Sequence, residues 1–345
     1  MSKTVFQSAG IGLATLAAGL LAGAAAVSQP RDVSIAFVVP EEEILGQSMH
    51  VMKTYMERAL PESFSVQIYG GSSLFQQAQQ IPAMQRGNLD IGFVNMFDIA
   101  PNIPEASLLT AGYLIRDPDH HCAVLNSEYG QGIIAAMIED MGIIPLSQLY
   151  IGYRTLVLRR AQDVTGPEDL ADLTMREVNN EAFQFLAEAL GARPTPIAFS
   201  ELYLALQTGT VDAFAGFATA MKTTNFYEVT EQLVQTNHLI SVDLLSVSKA
   251  FWDTLSEHEQ QVVVEAAEAA SLFALRTRQR AEDNALDELV NELGMTVTTP
   301  DTEPFRAFMR DKYVNSRFAA DWPEGIYDEL ADMPAEPGCR LNLPL

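Results

Sequence analysis

Apolar residues along the first third of the chain switch between two spacings. Val33 to Val39 is a nearly unbroken apolar run ended by Pro40, which predicts a buried strand. Gly46 to Leu60 places Met49, Met52, Met56 and Leu60 on one helical face. That methionine stripe reads as core rather than as a cofactor site. Phe64 to Tyr69 alternates and predicts a second strand, followed by Gly70-Gly71-Ser72-Ser73 and a helix to Arg86. Strand, helix, strand, helix, strand in this order argues for a mainly parallel sheet flanked by helices. Arg154 to Leu158 opens a second series of the same kind. It continues with a strand over Thr174 to Val178, a helix over Glu181 to Leu190 closed by Gly191, and an extended stretch from Pro194 to Phe199. Ser200 is placed to cap a helix that runs to Thr208.

The two series share a motif. Ala83-Met84-Gln85-Arg86-Gly87-Asn88-Leu89-Asp90-Ile91 resembles Ala205-Leu206-Gln207-Thr208-Gly209-Thr210-Val211-Asp212-Ala213. Each is a helix end, a glycine suited to positive φ, and the start of a short apolar strand. Matched units 122 positions apart predict two similar α/β lobes. A third pattern stands apart from both. Ser256 to Leu293 holds neither proline nor glycine. As one helix its 38 residues would span about 57 Å, longer than a small lobe is wide. Val262, Ala266, Ala269 and Phe273 form one apolar stripe, and Leu286, Leu289, Val290 and Leu293 another. Between them Arg276-Thr277-Arg278-Gln279-Arg280 reads as polar all round. This predicts a continuous helix lying across both lobes.

Charge and the N-terminus narrow the function. Lys3 precedes an apolar, small-residue run from Ile11 to Val27, with Ala24-Ala25-Ala26 as a processing site, so 1–27 reads as a cleaved export signal and the protein as periplasmic. The 345 residues carry 45 acids against 21 Lys and Arg, a net charge of -24, which argues against nucleic-acid binding. The only cysteines, Cys122 and Cys339, exclude a disulfide framework, and in an oxidising compartment they could pair.

Candidate chemistry is sparse. His120-His121-Cys122 lacks the spacing of a zinc site, and the aspartates around Pro118 read as a loop and helix cap. Glu41-Glu42-Glu43 reads as a solvated or capping cluster, and Gly70 to Ser73 is a weak anion cradle. Phosphate-binding loop, nucleophile elbow, zinc-protease and dinucleotide fingerprints do not occur, so no metal, cofactor or enzyme activity is expected. Two arginines carry more information. Arg154 starts the first strand of the second series, and Arg176 interrupts the apolar stretch from Leu173 to Val178. A guanidinium in an apolar strand needs a partner. Either it forms an internal salt bridge, or it faces a cleft and grips a carboxylate with its planar donors. The residues by themselves leave these two readings level.

Ordered segments resemble the solute receptors of tripartite ATP-independent periplasmic (TRAP) transporters, the dicarboxylate-receptor family. They are Pro194-Thr195-Pro196-Ile197 with Glu201-Leu202-Tyr203-Leu204-Ala205-Leu206-Gln207-Thr208-Gly209-Thr210-Val211-Asp212, Leu114 to His120, and Gly166-Pro167-Glu168-Asp169-Leu170 with Met175-Arg176. Asn225 to Val229 and Thr236-Asn237-His238 are similar to the same pattern. The resemblance implies a two-lobed periplasmic binding protein fold with 28–152 plus 240–278 as lobe I, 153–239 plus 279–333 as lobe II, and 334–345 as a tail. It implies a receptor that closes on an organic acid anion and hands it to the membrane subunits of a TRAP permease. Use of the same fold to signal to a sensor kinase is the alternative, and a periplasmic enzyme acting on an organic acid is a more distant one.

The family's carboxylate-binding arginine maps onto Arg176 and a frequent second arginine onto Arg154, with Asn95 expected near the cleft from the first lobe. Where the family continues with an asparagine that helps hold the ligand, this chain has Ala213-Phe214-Ala215-Gly216-Phe217, with Gly216 in its place and Phe217 for the following proline. The usual residues after the second strand are also replaced around Phe75-Gln76-Gln77. These departures point to a ligand with a larger or more apolar body than a small dicarboxylate, unless Phe214 and Phe217 merely fill the core of the second lobe.

Overall fold

A computed structural model describes Met1 and residues 29–343. Apart from Met1, the expected export signal lies outside the described residues. The chain runs β1 (Arg31–Ala36), α1 (Ile44–Ala59), β2 (Phe64–Tyr69), α2 (Gln77–Gln85), β3 (Ile91–Val94), α3 (Met96–Ile99), α4 (Pro118–Asn126), α5 (Glu128–Glu139) and β4 (Ile143–Leu158). It continues with β5 (Thr174–Glu177), α6 (Glu181–Leu190), β6 (Arg193–Pro196), α7 (Leu202–Thr208), β7 (Ala213–Gly216), β8 (Gln232–Ser248) and α8 (Lys249–Trp252). α9 (Glu257–Asn291), β9 (Thr296–Thr298), α10 (Glu303–Val314) and α11 (Ile326–Asp332) complete it.

The strand order is β2-β1-β3-β8-β4-β7-β5-β6, with β9 beside β8. Parallel pairings join β1 to β2 and β3 at one end, and β5 to β6 and β7 at the other. The centre is antiparallel, because β4 and β8 run side by side through both lobes. The sequence reading opens β4 at Arg154. The strand begins at Ile143 instead, and its first half, where Pro145, Gly152 and polar residues break the alternation, is strand because β8 pairs with it. The two long strands slip register between Tyr150 and Gly152 and again between Arg154 and Leu156. Gly152 has φ 126°, a conformation glycine adopts without strain.

The internal repeat is chemical as well as topological. Gly87 and Gly209 have φ 70° and 75°. Behind them Asn88 N donates to the Ala83 carbonyl and Thr210 N to the Ala205 carbonyl, both at 2.8 Å. Asp90 accepts from Ser34 N and Oγ at 2.8 Å each, and Asp212 accepts from Thr174 N at 3.1 Å and Oγ1 at 2.7 Å. In each repeat the aspartate of the motif thus ties the neighbouring parallel strand, at Ser34 within β1 and at Thr174, the first residue of β5.

α9 is continuous for 35 residues and opens on a capping box between Ser256 and Glu259. Its first half, including Val263, Ala267, Ala270 and Ala274, is buried with Met49, Met52 and Met56 of α1 in the core of lobe I. Leu289 is buried in the core of lobe II with Leu206, Val211 and Phe214. The expected polar middle is corrected at one residue. Arg278 continues the buried stripe and is 1% exposed. It pairs with Glu43 at 2.6 Å and donates to Thr219 Oγ1 at 2.8 Å. Glu43 also caps α1, accepting from Leu45 N at 2.7 Å. Ser200 does not cap α7. It lies within a 3-10 turn, and Glu201, the residue preceding the helix, makes no side-chain cap. Cys122 and Cys339 form a disulfide with Cα atoms 5.9 Å apart, fixing the C-terminal tail to α4.

Candidate functional site

The repeats end their inner strands at corresponding points. β3 is followed by Asn95 and β7 by Phe217, while β5 sets Arg176 beside Phe214 of β7. Ligand crevices in α/β sheets lie off such carboxyl ends of strands. A cavity of about 130 Å³ lies there, and its wall includes all six residues singled out from sequence: Asn95, Arg154, Arg176, Phe214, Gly216 and Phe217.

Arg176 is 6% exposed, and its Nε donates to the Ile197 carbonyl at 2.8 Å. The guanidinium lies 5.8 Å from the centre of the Phe199 ring. Burial lowers its pKa to about 10, opposed by the neighbouring Glu177. Successive strand side chains point to opposite faces, so Glu177 turns away from the cavity that Arg176 lines. Burial pushes the Glu177 carboxyl up to about 7. Arg154 reaches the cavity from β4. Its Nε donates to Ser241 Oγ at 2.8 Å and its Nη1 to the Ala215 carbonyl at 3.4 Å. The guanidinium is 5.7 Å from the Phe183 ring centre and 5.0 Å from that of Phe217. Among the described residues neither arginine forms an ion pair within 4 Å. The internal salt bridge that the sequence left open is therefore not formed.

Asn95 is the cap of α3 and is turned onto Asp98, accepting from Asp98 N at 3.0 Å and donating from Nδ2 to Oδ2 at 2.7 Å. Phe214 serves both roles that the sequence kept open. Its ring is buried in the core of lobe II, 5.1 Å from the Phe226 ring, and it also lines the cavity. Gly216 is covered by that same ring. A Cβ built there would lie 2.7 Å from Phe214 Cε2 and 2.9 Å from Val157 Cγ2.

Sequence reasoning missed several lining residues. Gln77 stands out in the sequence only as a departure from the family's pattern, yet its Nε2 donates to both Asp98 oxygens, at 3.0 and 3.3 Å. Asp98 itself was legible as an acid three residues after a capping asparagine. Burial pushes its carboxyl up to about 7. Asp243 breaks the apolar run of β8, and burial pushes it up to about 6, opposed by Arg154. Phe199 and Phe226 complete an aromatic wall on the lobe II side. The adjacent histidines lie elsewhere. His120 faces the Leu330 carbonyl at 2.9 Å and His121 the Gln148 side chain at 3.2 Å. Among the described residues no group of three His, Cys, Asp or Glu could hold a metal ion.

Residues 35–319 match the family described as bacterial extracellular solute-binding protein, family 7. The chain is 27% identical over 319 residues to the sialic acid-binding periplasmic protein of Vibrio cholerae, covering 92% of this chain and 98% of that protein. A TRAP periplasmic solute-binding protein from Roseobacter denitrificans, solved with bound 3-deoxy-D-manno-oct-2-ulosonic acid, superimposes with a TM-score of 0.82 at 33% identity, covering 88% of this chain and 99% of that one. Another receptor from Roseobacter denitrificans, solved with bound L-galactonate, gives 0.77 at 25% identity, with 88% and 98% covered.

Proposed function

The chain belongs to family 7 of the bacterial extracellular solute-binding proteins, and on that premise we propose that it is a periplasmic receptor for an organic acid anion, serving a TRAP-type permease. The observation that carries this reading is Arg176. Its guanidinium lines the cavity, is held at Nε by a neutral carbonyl, and has no carboxylate paired with it among the described residues. Planar donors on a desolvated guanidinium match both oxygens of a carboxylate. Arg154 supports the same end of the ligand, and Phe199, Phe214, Phe217 and Phe226 receive its apolar body.

The lobes divide at the long strands, and closure bends them where β4 and β8 slip register around Gly152. The ligand, touching Asn95 and Asp98 on one side and Arg176 on the other, holds the halves together. The permease takes the ligand when the halves part.

A thermal-shift screen over organic acids tests the reading. An acid present at about 100 times its dissociation constant raises apparent stability by about 3 kcal/mol. A panel spanning dicarboxylates, sugar acids, keto acids, aromatic acids and amino acids that gives no shift at all contradicts it.

A further inference from the structure

The cavity wall carries acids as well as the guanidiniums that an anion site calls for. Its wall holds two guanidiniums, Arg154 and Arg176, and two carboxyl groups, Asp98 and Asp243. Glu43 also lines it, but Arg278 neutralises that carboxylate at 2.6 Å. Arg154 is not free to serve a ligand alone, since it lies in the field of Glu177, Asp243 and Asp98 together. Arg176 has a single acid, Glu177, in its field. A plain monoanion seated on it would bring a further negative charge into a desolvated space that already holds two acids.

The two acids are prepared differently. Asp98 is oriented by Gln77 and Asn95. Asp243 lines the cavity, and among the described residues its side chain accepts no hydrogen bond and forms no ion pair within 4 Å. A half-buried carboxyl on the cavity wall that accepts no hydrogen bond from the protein is open to a donor supplied by a ligand. Arg176 belongs to β5, while Asp98 follows β3 and Asp243 belongs to β8, so the guanidinium and the two acids reach the cavity from different strands.

Resting on the receptor reading above, we propose that the ligand is a zwitterion whose carboxylate binds Arg176 and whose protonated amine is read by Asp243, with Asp98 beside it. Such a ligand brings its own compensating charge, and its two ends span the two sides of the cavity. The volume sets the size. At about 130 Å³ the cavity is comparable to the one of about 150 Å³ that accepts benzene, so the ligand is compact. The aromatic wall of Phe199, Phe214 and Phe226 favours an apolar or alkylated body over a polyhydroxylated one.

Calorimetry with two matched sets of probes tests this. One set is L-valine, 2-hydroxy-3-methylbutanoate and 3-methylbutanoate. The other is 4-aminobutanoate, 4-hydroxybutanoate and butanoate. In at least one set the amino acid is expected to bind about ten-fold or more tighter than both relatives, with no net proton uptake when measured in two buffers of different ionisation enthalpy. Asp243→Asn, checked for folding by circular dichroism, is expected to remove that preference, and Asp243→Ser to do the same. A hydroxy or plain acid that binds as tightly as the amino acid in both sets overturns the proposal. So does its binding with uptake of about one proton, which would mean that an acid of the wall protonates instead. Retention of the preference in both variants also overturns it. If no amino acid binds while an acid from the broader screen does, the zwitterion fails and the receptor stands. If no acid binds in either panel, the receptor reading itself fails.

Discussion

Phe214 and Gly216 act as one unit, because the ring of the first occupies the space in which a side chain at the second would start. Placing asparagine at 216 in this background drives Cβ into a ring edge and a valine methyl. Overpacking of this kind costs about 1–3 kcal/mol. Urea denaturation is expected to show that loss for Gly216→Asn, and the double substitution with Phe214→Ala is expected to cost less than the sum of the two singles. The sequence displayed the exchange of a polar contact for an aromatic one, but not that the two positions compete for one volume, since side-chain direction is set by the strand.

The acids give a second test at this scale. Asp98, Asp243 and Glu177 have carboxyl pKa values raised to about 7, 6 and 7 in the folded protein. The folded state therefore holds protons that the unfolded state has already released above about pH 4. Stability of the ligand-free protein from these groups falls as pH rises from about 4 to about 7. Chemical denaturation across that window is expected to show the decline, and Asp98→Asn is expected to flatten part of it. A rise instead would contradict the assigned burial.

Among the elements, α9 is the one whose role depends most on a single residue. Its length was readable, because no proline or glycine interrupts it, but its apolar stripes only in part: Val262, Ala266 and Leu289 are buried, whereas Ala269 and Phe273 are half-buried and Val290 is exposed. Arg278 was not readable. It sits in a run of charged and polar residues, and only the fold shows that it faces Glu43, just before α1, and Thr219, just after β7. Removing one member of a buried ion pair leaves the other uncompensated, at about 3–5 kcal/mol. Arg278→Met and Glu43→Gln are each expected to lose an amount of that order in urea denaturation, and the double variant less than their sum. Strict additivity would mean that the pair is not coupled. β4 shows the complementary limit. Pairing with β8, not local alternation, makes a strand of Ile143 to Tyr153, so its first half could be found only with its partner in view.

For the molecule as a whole, the repeat of helix end, glycine and strand was the clearest sequence signal of two lobes. Asp90 and Asp212 carry it down to matching hydrogen bonds. The pairing of Cys122 with Cys339 was open in sequence because 217 positions separate them. Closing so long a loop contributes on the order of 5 kcal/mol in the chain-entropy description. Reduction is expected to lower the melting temperature and free the tail, while leaving ligand affinity unchanged, since both cysteines lie outside the cavity wall.

The account turns on a carboxylate gripped by Arg176 between the lobes. Calorimetric titration of the wild type and of Arg176→Ala, with the acid found by thermal shift, tests it most directly. The account predicts that affinity falls about 100-fold or more, close to 3 kcal/mol, while circular dichroism stays unchanged. An Arg176→Ala protein that is folded and binds that acid as tightly as the wild type would contradict it.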